Sequence, residues 1–111
     1  MFELNQQGAV WVLRGDQPIH AESIPELQEL AETCAEQGQP RWVLDLQNVP
    51  LIDSAGLEWL WDMHKRFHSH GGTLEIAAPT PLCREILVAT RVADHFVIFD
   101  DVVTAVGSFA Q

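Results

Sequence analysis

Basic residues are scarce in this chain of 111 residues: six Lys and Arg stand against sixteen Asp and Glu, a formal net charge of -10. A field of that sign repels phosphate backbones and anionic lipid surfaces. No nucleic acid and no membrane face is therefore expected as a partner, whereas a basic protein is allowed. Cysteine is scarce too. Cys34 and Cys83 are far apart and each falls on an apolar helical stripe. Such a pair makes neither a disulfide framework nor a zinc site, and two buried free thiols are expected. No apolar run is long enough to span a bilayer. The start, Met1-Phe2-Glu3-Leu4-Asn5, lacks the basic stretch and long apolar segment of a secretory signal. The expectation is a reduced, cytoplasmic protein without membrane insertion.

What is present suffices for one hydrophobic core. Apolar residues make up 47% of the chain, enough to fold without metals or cross-links, and charged residues only 20%, which argues against disorder. A single domain over residues 1–111 is expected. Val10-Trp11-Val12-Leu13 reads as a strand ending at Arg14-Gly15, with Phe2 to Leu4 beside it as an edge strand. Ser23 and Glu26 have the spacing of a capping box opening a helix, whose stripe is Ile24, Leu27, Leu30, Ala31 and Cys34 and whose end is marked by Gly38 and Pro40. Trp42 to Leu46 is a strand of the kind buried on both faces.

A second helix is predicted from Ser54 to about His68, closed by Gly71-Gly72, and Thr73 to Ala77 follows as a strand. Thr80 caps a third helix with Pro81 in its first turn and a stripe of Leu82, Cys83, Ile86 and Leu87. Phe96 to Phe99 reads as the last strand. Asp100 and Asp101 suit the positive end of a final helix, with Val102, Val103, Ala105, Val106 and Phe109 facing inward. The alternation implies an α/β domain: a mixed, mostly parallel sheet of about five strands covered by about four helices. Its expected core is Leu13, Val43, Leu44, Leu46, Leu60, Phe67, Leu74, Ile76, Ile86, Val97 and Ile98.

The informative stretch runs from Val43 to Leu57: an apolar strand, a short connector, the turn Asp53-Ser54-Ala55-Gly56-Leu57, and an amphipathic helix. Ser54 at a helix start has a plain role as N-cap. It is also well placed for a phosphate, because unpartnered backbone N–H groups and the helix dipole favour negative charge there. Gly56 lets another backbone approach closely, and Asp53 is an acid that a phosphate would repel.

This stretch resembles the STAS domain family, in which Asp, a Ser or Thr, a small residue and Gly-Leu open the second helix. Gly71-Gly72-Thr73-Leu74-Glu75-Ile76 is similar to the family's turn into its next strand, and the resemblance extends over nearly the whole chain. It implies an anti-sigma factor antagonist acting by partner switching. Ser54 would be the phosphorylation site, and Asp53, Ser54, Ala55, Gly56 and Leu57 the partner-binding turn. The implied partners are an anti-sigma factor serine kinase and a phosphatase. One departure is Pro18, at about the position where many antagonists carry an acidic residue, with Asp16 close before it. The other reading that the family offers is a non-switching scaffold subunit of a stressosome-like or lipid-transport assembly.

Nothing points to an enzyme or to a cofactor. A hydrolase elbow needs Gly-x-Ser-x-Gly, and Ile52 stands where the first Gly belongs. His64 and His68 have the spacing of zinc ligands, but His-Lys-Arg-Phe-His lacks the catalytic Glu, so no metal is assigned and His64 is read as a hydrogen-bonded core residue. Of Trp59 and Trp61, one is expected to pack and the other to lie at an exposed edge.

Overall fold

The computed structural model describes residues 1–34 and 40–110, with residues 33 and 34 by backbone alone. Five strands form one sheet in the order β1-β2-β3-β4-β5. They are β1 (Phe2–Gln7), β2 (Val10–Gly15), β3 (Arg41–Asp45), β4 (Thr73–Ala77) and β5 (Ile98–Phe99). The β1–β2 hairpin is antiparallel, and every later pairing is parallel. Parallel neighbours need a crossover, which the helices supply: α1 (Ile24–Cys34), α2 (Ser54–Ser69) and α3 (Pro81–Ala89), with α4 (Val102–Ser108) after β5. The expected α/β sheet with four helices is the observed one.

Strand alternation sorts the side chains between two faces. Leu13, Trp42, Leu44, Leu74 and Ile76 meet the buried stripes of α1, α2 and α3 in the main core. Val10, Val12, Val43 and Ala77 point the other way, onto Ala105 of α4. One seven-residue helix therefore serves the second face. Glu75 lies buried on β4 and accepts a hydrogen bond from the Ser108 hydroxyl of α4 at 3.0 Å. Burial raises the pKa of its carboxyl, and the hydroxyl only partly offsets that.

Several expected packing roles are corrected. Val97 is 56% exposed, because β5 is a two-residue edge strand, and a 3-10 turn (Val92–His95) occupies the residues before it. Ile86 and Ile98 are half-buried rather than central. Leu82 and Val103 are exposed, since the short helices α3 and α4 bury one narrow side each, Cys83 with Leu87 and Ala105 respectively. The capping box does not form. The Ser23 hydroxyl donates to the Pro18 carbonyl at 2.6 Å, and Glu26 accepts the Phe2 backbone N–H at 2.7 Å. Glu26 thus covers a donor on the open edge of β1, a tertiary use that competes with the local one. Gly38 and the Cys34 side chain lie outside the described residues. Cys83 is a buried free thiol.

Candidate functional site

The turn at Asp53 stands where the chain leaves β3 for α2. Among the neighbouring segments, the loop from β2 supports it most directly. The Ile19 N–H donates to the Leu51 carbonyl at 3.0 Å, and the Asp53 N–H donates back to the Ile19 carbonyl at 3.1 Å. This pairing makes a one-residue parallel bridge between Ile19 and Ile52, both fully buried. On its other side the connector is held by α3. The Val49 carbonyl accepts from the Thr80 hydroxyl and the Cys83 thiol, each at 3.3 Å. The serine turn is thus fixed between two other loops before any partner arrives.

Asp53, not Ser54, is the N-cap of α2. Its backbone is extended (φ -93°, ψ -174°) and its Oδ1 accepts the Gly56 N–H at 2.9 Å. The plain role read for Ser54 is corrected by this geometry, since the shorter-range carboxylate has taken the donor that an N-cap serves. Ser54 is the first helical residue and is exposed, while Ala55 and Leu57 are half-buried. Gly56 is buried. A Cβ there would fall onto the Ile19 carbonyl oxygen and come within 2.8 Å of the Ile52 Cγ2 atom. The close backbone approach expected at Gly56 is therefore made by this chain's own loop. At the other end of α2, Gly71 takes φ 73° just past the cap at His70, a left-handed position suited to glycine.

Ser54 and Glu58 are four residues apart and share one side of α2 with Asp62. No basic residue lies among these three positions. Pro18, on the loop that carries Ile19, uses its carbonyl to hold Ser23, and Asp16 pairs with the exposed Met1 ammonium at 3.1 Å. Ile19 was not singled out in the sequence, and Thr80 and Cys83 were read only as a helix cap and a buried thiol, because their contacts with this turn join residues about thirty or more apart and leave no local spacing signal.

One tryptophan packs as expected, but the other does not lie at an exposed edge. Trp59 is buried and donates its indole N–H to Gln28 Oε1 at 3.1 Å, tying α2 to α1. Trp61 is half-buried and lies against His95, with ring centroids 4.4 Å apart. His64 is corrected: it is half-buried and packs on rings, with Phe96 at 4.9 Å and Trp61 at 5.5 Å between centroids. Burial lowers its pKa first, and the neighbouring His68 and His95 add to the effect.

An open α/β domain results, with one antiparallel edge and a capped helix start pinned at the end of its central strands. The chain belongs to the STAS domain family, whose model matches residues 1–105. Solved structures share the fold over nearly the full length. A Thermotoga maritima protein assigned as an anti-sigma factor antagonist superposes with a TM-score of 0.91 at 20% identity, covering 99% of this chain and 95% of that one. An anti-sigma factor antagonist from Mycobacterium paratuberculosis gives 0.88 at 19% identity, covering 100% and 94%. The Bacillus cell fate determinant SpoIIAA in its phosphorylated form gives 0.68 at 14% identity, covering 88% and 90%. No curated protein matches the chain by sequence. Among the described residues no helix is long and apolar enough to cross a membrane.

Proposed function

We propose that this chain is a phosphorylation-regulated binding module, an anti-sigma factor antagonist that works by partner switching in the cytoplasm. Unphosphorylated, the turn from Asp53 to Leu57 binds an anti-sigma factor serine kinase, and the sigma factor goes free. Ser54, Ala55 and Leu57 supply the surface; Asp53 and buried Gly56 hold it in shape. Phosphorylated on Ser54, the chain lets go, and a phosphatase resets it. The reaction belongs to the kinase. Its ATP and magnesium deliver the phosphoryl group, the Ser54 oxygen bonds to the γ-phosphorus as ADP leaves, and the hydroxyl proton passes to the kinase's base.

The observation that carries this reading is the division of labour at the helix start. Ser54 is exposed in the first turn while Asp53 alone makes the cap. Its hydroxyl is spare, so a group of roughly -1.5 to -2 charges can be added there without removing a structural hydrogen bond. The helix N-terminus tolerates that charge. A partner surface packed on the turn does not, because the phosphate would have to be desolvated.

The test is intact mass after co-expression with an anti-sigma factor serine kinase from the same organism. The expected result is one added phosphoryl group, absent in Ser54→Ala. An unmodified chain that still co-purifies with its neighbours would support the non-switching scaffold in its place.

A further inference from the structure

We propose that a groove between α1 and α2 seats an arginine side chain presented by the protein partner, an inference that rests on the partner-binding reading above. The groove holds about 420 Å³ and begins at the switch itself, since Ala55 of the Asp53–Leu57 turn is part of its wall. Ile24 lines it from the start of α1, and Trp59 lines it with the 6% of its surface that stays exposed. The Trp59 ring is fixed in advance, because its indole N–H is bonded to Gln28 Oε1 and Gln28 is itself in the lining. Glu58 and Asp62 stand along the α2 rim.

This chemistry selects its occupant. The walls are mostly apolar, from Ala21, Ile24 and Ala55, with Gln28 among them, and the outer rim is carboxylate. A side chain that fits must have an apolar stem to lie along the groove and a cationic end to reach the rim carboxylates. Arginine meets both demands, and its planar fork can bond a carboxylate through two N–H groups, whereas lysine offers a compact and strongly hydrated charge. Asp62 is already shared with Lys65 at 3.5 Å, whereas Glu58 makes no ion pair among the described residues, so Glu58 is the principal acceptor. The net charge of -10 favours a basic partner over a second copy of this chain, which would bring the same negative field to the contact. Because Glu58 lies one turn beyond Ser54 on the same side of α2, an arginine seated there sets the partner's backbone over the hydroxyl.

The groove can be tested without any kinase. The isotope-labelled full chain is titrated with three capped peptides that differ only in a central Arg, Gln or Glu between leucines. The expected result is saturable movement of the Trp59 indole N–H and the Ala55 amide with the Arg peptide. Affinity should fall about tenfold for the Gln peptide and further for Glu. Glu58→Lys should remove the preference for Arg while a urea melt shows the fold intact. Equal response to all three peptides, or an Arg preference unchanged in Glu58→Lys, would overturn the proposal. Sedimentation as a dimer that Glu58→Lys dissociates would give the groove to a second copy and overturn it also. None of these outcomes depends on whether Ser54 is phosphorylated, so failure of the groove and failure of the switch are read separately.

Discussion

Asp53, Ser54 and Gly56 are neighbours with separable tasks, and substitutions should separate them. Asp53→Ala removes the carboxylate that holds the Gly56 N–H and should cost about 0.5–2 kcal/mol, measured by urea denaturation. Ser54→Ala removes no cap and should stay within about 0.5 kcal/mol of wild type. Equal losses for the two would mean that Ser54 shares the capping. Gly56→Ala should be the most damaging of the three, because the added methyl meets the Ile19 backbone oxygen rather than the end of a flexible side chain. Overpacking of this sort costs about 1–3 kcal/mol. An alanine variant as stable as wild type would show that the β2–α1 loop can shift away from the turn.

At the scale of elements, two contacts carry titratable groups and should make stability depend on pH. The α4 helix sits on the sheet over Glu75, whose pKa is raised in the folded state. A raised pKa means stability is greatest below the unfolded value and is lost as pH rises through the folded one. Glu75→Gln should therefore stabilise the protein near neutral pH, and the gain should vanish below about pH 4.5, the ordinary value for Glu. A gain that persists at pH 4 would place its cause elsewhere. His64 has the opposite sense. Its folded pKa is lowered, so the stability it permits is present above its ordinary value of 6.5 and declines as pH falls below that. His64→Phe should flatten the slope of melting temperature between about pH 7 and 5; an unchanged slope would assign it to other groups. Elements were legible in the sequence wherever a single periodicity decided them: β2, β3, β4, α2 and the Thr80–Pro81 start of α3 lie where the pattern puts them. What misled was competition from outside the element. Ser23 and Glu26 have a local motif, yet Pro18 and Phe2 claim both side chains. Val97 and Val103 have the right residue type, but no opposing layer covers them.

For the whole molecule, charge and shape act together. Three helices close one face of the sheet, and the serine turn lies where the β2–α1 loop, the β3–α2 connector and α3 meet. The sequence motif pointed to that turn, but not to its supports, because Ile19, Thr80 and Cys83 reach it only through the folded topology. A net charge of -10 on so small a domain should speed association with a basic partner at low ionic strength. The central claim is that a negative charge at Ser54 governs binding and leaves the fold alone. It is tested most directly by the affinity of wild type, Ser54→Ala and Ser54→Asp for the kinase captured with the wild-type chain, with a urea melt of each. The account predicts that Ser54→Ala binds like wild type, that Ser54→Asp binds at least about tenfold more weakly, and that all three melt within about 1 kcal/mol of one another. Binding of Ser54→Asp at wild-type affinity would contradict it.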